Sequence, residues 1–181
     1  LRFIIPINKF HVSKKLFRSF KNNKYIYKIN FDFEQVINQC QKANRKTKGT
    51  WINDIILNSY LKLSNIKKCH SVECYEGNIM VGGLYGVQIG GCFFGESMFS
   101  LKSNTSKYCL LYLIAILKKN FFSLLDSQFY NKHLIQFGAY EIKNKDYMLQ
   151  LKKSLEEKCN FNFINDFHEV LSLIQSTNHR S

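Results

Sequence analysis

One proline and one tryptophan occur in 181 residues, and 13 acidic side chains face 26 Lys+Arg. Each scarcity removes a class of protein. A single proline among 45% hydrophobic and 15% aromatic residues excludes a disordered or proline-rich linker chain, and the length suits one large domain, or one domain with an appendage, around a sizeable core. The longest apolar run, Tyr108 to Leu117, is far short of the roughly 20 residues that cross a bilayer. No signal-peptide pattern opens the chain, so the sequence predicts a soluble, cytoplasmic protein with no membrane partner. The six cysteines form no Cys-x-x-Cys pair, and Cys69-His70-x-x-x-Cys74 falls where alternation predicts a strand. Free buried thiols are the expectation, with no disulfide, metal or cofactor required.

The acidic deficit is concentrated at one end. Residues 1–30 hold eight basic side chains and no acids, residues 31–70 seven against three, residues 71–141 five against five, and residues 142–181 six against five. Eighteen asparagines and a Lys/Ile/Phe bias point to compositional drift, but uniform drift does not produce so steep a gradient. A clustered basic surface is what a polyanionic partner requires. Ser13 can cap a helix running to about Lys21, and Lys14, Arg18 and Lys21 then stand at i, i+4 and i+7 on one face. The structural alternative is a solvated lysine face.

Further along, Lys24 to Asn30 reads as extended, and Asp32-x-x-Gln35 has the form of a capping box before an amphipathic stretch to about Ala43. Asn44 to Gly49 is a basic loop, and Thr50 is placed to cap a helix carrying Trp51, Ile52, Ile55, Ile56, Tyr60 and Leu61. Seven of nine glycines fall between Gly77 and Gly95, dividing three β-rich segments, His70–Tyr75, Ile79–Ile89 and Cys92–Ser100. These predict a meander that turns at Glu76-Gly77 and Gly90-Gly91. An apolar helix from Asn104 or Thr105 to about Asn120, a short strand Phe122–Asp126, and helices at Asn131–Phe137 (ended by Gly138) and Asn144–Glu157 complete an α/β pattern with an antiparallel sheet and one crossover. The pattern assigns nothing from Cys159 onward.

Two carboxylates stand out in the neutral middle. Glu96 sits in the aromatic run Phe93-Phe94-Gly95-Glu96-Ser97-Met98-Phe99, and Asp126 ends a strand with Gln128 two residues on. A polar pair at the carboxyl end of a buried strand is a common site geometry, although Asp126 could equally be a turn cap and Glu96 a structural carboxylate. The motifs Thr50-Trp51-Ile52, His70-Ser71-Val72-Glu73, Val81-Gly82-Gly83-Leu84-Tyr85-Gly86-Val87, Phe94-Gly95-Glu96-Ser97-Met98-Phe99-Ser100, Asn104-Thr105-Ser106-Lys107, Leu125-Asp126-Ser127-Gln128 and Gly138-Ala139-Tyr140-Glu141-Ile142, in this order over residues 2–152, closely resemble the leucyl/phenylalanyl-tRNA protein transferases. The resemblance implies an acetyltransferase-like (GNAT) fold, a mixed, largely antiparallel sheet flanked by helices, used without coenzyme A. It implies transfer of leucine, and of phenylalanine or methionine, from aminoacyl-tRNA to the N-terminal Arg or Lys of an acceptor protein, a step of N-end rule protein degradation. It also implies Asp126, Gln128 and Glu96 as the catalytic group, with Asp126 orienting Gln128 toward the attacking amine. Leu84, Phe93, Leu110, Leu113 and Leu125 would form the apolar donor pocket, Trp51 would stack on the terminal adenine, and Lys14, Arg18 and Lys21 would contact the tRNA. Read without the resemblance, Leu84 and Trp51 are core residues.

Several features depart from the family. Its N-terminal segment with a Trp-rich stretch is missing, the chain opens on Leu1 rather than methionine, and the expectation is a truncated chain: a basic part over 1–49, a catalytic domain over 50–158 and an unassigned tail over 159–181. Tyr75 stands where a tryptophan is common, and the basic loop before Trp51 is longer. One rival reading is a CoA-dependent acyltransferase of the same fold. It requires a glycine-rich pyrophosphate loop between strand and helix, which Ser100 to Thr105 does not supply. A second is a truncated, catalytically degenerate RNA-binding protein, against which the joint presence of Glu96, Asp126 and Gln128 speaks.

Overall fold

The computed structural model describes residues 1–45 and 52–176. Thr50 and Trp51, and the basic loop beyond Arg45, lie outside the described residues. Seven strands, β1 (Arg2–Ile5), β2 (Ile26–Ile29), β3 (Cys69–Glu76), β4 (Ile79–Ile89), β5 (Cys92–Ser100), β6 (Leu124–Gln128) and β7 (Tyr140–Ile142), join in the order β2-β3-β4-β5-β6-β1-β7. The helices are α1 (Lys14–Asn22), α2 (Phe33–Arg45), α3 (Asp54–Asn65), α4 (Thr105–Lys119), α5 (Lys132–Ile135), α6 (Asn144–Glu156) and α7 (Phe167–Gln175). β1 runs antiparallel to both β6 and β7, β3 antiparallel to β2 and β4, and β5 runs parallel to β6 across α4. This is the mixed, largely antiparallel α/β sheet with one crossover that the sequence pattern predicts.

Local chemistry explains most boundaries. Ser13 Oγ accepts the Leu16 N–H at 3.2 Å and starts α1, whose Leu16 and Phe20 turn inward. Asp32 Oδ1 accepts the Gln35 N–H at 3.0 Å at the start of α2. The helix expected from Thr50 starts instead at Asp54, capped by Asn53, whose Oδ1 accepts the Ile56 N–H at 2.9 Å, and Ile52 is fully buried ahead of it. The strand expected at Phe122–Asp126 runs two residues later, and the helix after Asn131 is only four residues long before Gly138, at φ +83, reverses the chain. β1, β7 and α7 have no counterpart in the sequence reading.

The chain divides into two compact units. The first comprises residues 1–23, 89–95 and 111 onward, and the second residues 24–88 and 96–110. In the first, Ile4, Cys92, Leu124, Ile142 and Tyr147 form a core against which Phe94 and Leu151 pack. In the second, Phe33, Val36, Ile37, Ile52, Tyr85 and Phe99 are among the core residues. Gly82 shows why this unit needs glycine within a strand: a Cβ there would lie 2.5 Å from that of Thr105, whose Oγ1 stands 2.8 Å from the Val81 carbonyl oxygen. Gly82 thus makes room for the start of α4, and Gly83 beside it makes room for Phe99 and Val36.

Candidate active site

Asp126 lies on β6 and is wholly buried. By strand alternation its side chain lies on the same face as Leu124, a member of the core that contains Tyr147 of α6, and on the opposite face from Leu125. Four donors meet its carboxylate. Arg2 Nε lies 3.0 and 2.9 Å from the two oxygens and Arg2 Nη2 2.8 Å from Oδ2. The Tyr147 hydroxyl donates to Oδ2 at 2.6 Å, and the Gln128 main-chain N–H donates to Oδ1 at 2.7 Å. The Arg2 guanidinium carbon also sits 5.4 Å from the centroid of the Tyr147 ring. Burial works against the Arg2 charge, but the hydrogen bonds and charge of Asp126 outweigh it and raise the Arg2 pKa. Burial, then the hydrogen bond to Asp126, pushes the Tyr147 hydroxyl up, which keeps it a donor. With four donors on it, the carboxylate is fixed in orientation and has little room to turn toward a substrate.

Beyond Asp126 the strand breaks step. Ile4 pairs with Asp126 and Phe3 with Gln128, so Ser127 is the extra residue of a β-bulge, and its hydroxyl donates to the Phe3 carbonyl at 2.9 Å. Gln128 adopts φ +68, a left-handed conformation that costs a non-glycine residue roughly 1–2 kcal/mol. Its main-chain hydrogen bond to Asp126 holds it there. The Gln128 side-chain amide reaches 3.5 Å from the Gly95 carbonyl oxygen. Gln128 is therefore placed by a bulge and a left-handed turn rather than by regular strand alternation.

The other expected residues are distributed as follows. Phe93 pairs in parallel register with Leu125, which puts both on one sheet face within the first unit, and Leu113 is buried there too. Leu84 and Leu110 are buried in the second unit. Glu96 belongs to the second unit, half-buried on β5, where burial and the neighbouring Glu96 charge push the Tyr60 hydroxyl up. Lys14, Arg18 and Lys21 are all exposed on the outer face of α1. Burial pushes the Cys40 and Cys69 thiols up to about 12, which keeps both protonated near neutral pH and unsuited to nucleophilic attack. An open groove of about 520 Å³, with Pro6, Lys9, Tyr140 and Gln150 among its walls, contains none of the expected residues.

A family model described as leucyl/phenylalanyl-tRNA protein transferase matches residues 4–152. The chain belongs to that family. A leucyl/phenylalanyl-tRNA–protein transferase of Maricaulis maris is 43% identical over 165 residues, 91% of this chain and 76% of that protein. Its counterpart in Zymomonas mobilis is 44% identical over 154 residues, 85% of this chain and 58% of that one. Among solved structures, a possible acetyltransferase from Clostridium difficile overlays with a TM-score of 0.49 at 12% identity, covering 78% of this chain and 96% of that one. Membership makes the chain an aminoacyltransferase, a transferase of the aminoacyl-tRNA–protein class. No helix among the described residues is long and apolar enough to cross a membrane.

For this transferase, sequence reasoning missed the two side chains that fix Asp126. Arg2 lies 124 positions away and Tyr147 21 positions away. A lone arginine in a basic stretch and a tyrosine on an amphipathic helix carry no local mark of a shared partner. A buried Asp in an apolar strand is itself the signal that a cation must be found for it.

Proposed function

We propose that the protein transfers leucine, and also phenylalanine and methionine, from aminoacyl-tRNA to the α-amino group of an N-terminal Arg or Lys, marking the acceptor for degradation by the N-end rule. Asp126, Gln128 and Glu96 are the proposed catalytic residues. The observation that carries this reading is the buried Asp126 holding the main chain of Gln128 in a strained turn at the end of β6. Backbone strain of this kind persists where a side chain must be aimed.

The chemistry suits so spare a site. An α-amine with a pKa of about 7.7–8.0 is partly neutral near pH 7. It attacks the aminoacyl ester carbonyl, the new C–N bond forms, the bond to the ribose oxygen breaks, and the proton that the amine gives up is matched, by way of solvent, by one taken up at the departing ribose oxygen. Positioning is the main requirement. The Gln128 amide oxygen is too weak a base to take the proton, but as a hydrogen-bond acceptor it can aim the amine. Asp126, its charge balanced by Arg2, acts through Gln128 by holding its main chain in place.

Phe93, Leu113 and Leu125 of the first unit are proposed walls for the donor side chain, as are Leu84 and Leu110 of the second. One methylene in an apolar pocket changes discrimination by only about 1–3 kcal/mol, which fits acceptance of three apolar donors. Trp51 is proposed to stack on the terminal adenine. Lys14, Arg18 and Lys21 are proposed to contact tRNA phosphates, so alanine at Lys14 and Arg18 raises the tRNA concentration needed while leaving the maximal rate unchanged.

The test incubates the full chain with labelled Leu-tRNA and two peptides, one with a free and one with an acetylated N-terminal Arg, beside a Gln128→Ala variant. Label only on the free peptide, reduced at least tenfold in the variant, is expected. Equal labelling by the variant removes Gln128 from the chemistry, and labelling of the acetylated peptide removes the α-amine as acceptor.

A further inference from the structure

The family model matches as far as residue 152, the similarity to the Maricaulis relative runs past it, and this part of the chain is closely fitted to the first unit. The Phe161 ring stacks on Phe93, centroids 5.5 Å apart and planes 20° apart, and meets the edge of Phe122 at 6.4 Å. Phe163 stacks on Tyr112 at 5.7 Å, and the Tyr112 hydroxyl donates to the Ile164 carbonyl at 2.5 Å. α7 is then tied to the end of α4 by Lys118 Nζ donating to the Leu173 carbonyl at 2.6 Å and by a Lys119–Glu169 ion pair at 2.7 Å. Ile164, Val170 and Ile174 are fully buried.

Most of these contacts anchor a helix. Phe161 differs in what it touches, because Phe93 is the register partner of Leu125 and both are proposed donor walls. Both are almost wholly buried, with 0% and 2% exposure, so any pocket they line is built from core side chains, and its size depends on what stands behind them. An aromatic wall with one ring face covered by a second ring cannot recede without opening a void between the two.

We propose that Phe161, beyond the residues that the family model matches, is a positioning residue that holds the Phe93 wall and so sets the size of donor side chain the enzyme accepts. The proposal rests on the pocket reading above. Shrinking Phe161 lets the Phe93 ring sink back, and the room gained favours the larger donor.

The experiment compares kcat/KM for Phe-tRNA and Leu-tRNA, with one Arg-peptide acceptor, across the full chain and its Phe161→Leu, Phe161→Ala, Phe163→Ala and Phe93→Leu variants, with an unfolding midpoint for each. Phe161→Leu is expected to raise the Phe:Leu ratio about tenfold, the low end of the effect of a one-methylene change. Phe163→Ala, an equal or larger loss from the same segment, is expected to lower the midpoint and leave the ratio unchanged. If Phe93→Leu moves the ratio and neither Phe161 variant does, the inference is overturned and the pocket reading stands. If no Phe93 or Phe161 variant moves it, the pocket reading falls and the inference with it. Phe161→Leu keeps the question answerable should Phe161→Ala unfold.

Discussion

Asp126 and Glu73 are both carboxylates with no solvent exposure, one in each unit, and they are held in opposite ways. Asp126 has a cation, Arg2, against both oxygens. The hydrogen-bond donors to Glu73 are all neutral. Its Oε1 accepts the Phe31 and Asp32 N–H groups at 2.9 and 3.0 Å and the Ser71 hydroxyl at 2.7 Å, and its Oε2 accepts the Tyr75 hydroxyl at 2.9 Å. Lys28, its register partner on β2, places its ammonium 3.4 Å from the centroid of the Phe31 ring. The two N–H donors lie just ahead of α2, where the helix dipole also favours an anion. Glu73 therefore fastens a loop to a strand and a helix end, whereas Asp126, paired with Arg2, also fixes the next turn of backbone through Oδ1. A buried carboxylate held by neutral donors close to it in the fold serves architecture, and one held by a cation from a distant strand serves a site whose geometry is set from outside its own strand.

The contrast can be broken most forcefully at Arg2. Arg2→Ala leaves a buried anion without its cation, and the expected loss is about 3 kcal/mol in urea unfolding, the low end for such a break, because the Arg2 side chain is 31% exposed. Transfer activity should fall with it, and a variant of near-normal stability and turnover would show that the cation is dispensable. Acid probes the neutral network of the second unit at comparable size. Burial, with Gln88 opposing and Lys68 assisting, lowers the His70 pKa from 6.5 to about 4. Between those values the unfolded chain binds the extra proton. The contribution of His70 is thus complete above pH 6.5 and is lost as pH falls toward 4, roughly 3 kcal/mol in all. His70→Gln should flatten the slope of unfolding free energy between pH 7 and 4.5, and parallel slopes in the two proteins would remove His70 as its source. The finest comparison is a matched pair of tyrosine deletions. Tyr75→Phe takes away the hydroxyl donor to Glu73 Oε2 and should cost about 2 kcal/mol, while Tyr147→Phe leaves Asp126 Oδ2 its arginine and should cost about 1. Equal midpoints for the two would mean that the surroundings of the two anions are interchangeable.

Much of this was legible in the sequence, and the boundary between legible and hidden follows separation along the chain. β3, β4 and β5 emerge nearly to the residue because glycines mark their turns and each strand pairs with its neighbour. α1 is marked by Ser13, a cap three residues from its acceptor. β1 was not legible: four residues ahead of Pro6 are too few for a period, and its partners lie more than 120 positions away. α7 eluded the reading because its apolar residues form a short patch, one of whose partners is Phe20 on α1, at the other end of the chain. At the site, Asp126 and Gln128 were legible as a polar pair after an apolar strand, but the bulge at Ser127 was not, because it depends on the register with Phe3 and Ile4. The capping of α3 by Asn53 rather than Thr50 is a smaller miss of the same kind, with two good capping residues in one short stretch and tertiary packing choosing between them.

The place of β1 in the sheet has a consequence on the time axis of synthesis. Both of its neighbours, β6 and β7, are made later, and at roughly 5–20 residues per second the ribosome needs on the order of 6–25 s to reach them. Throughout that interval a strand whose Phe3, Ile4 and Ile5 end fully covered has no native edge to join, while the second unit's own strands can already pair. The nascent chain therefore holds this apolar strand open until β6 and β7 are made, and co-translational shielding of that stretch, rather than the speed of the meander, should govern how much of the protein is recovered folded.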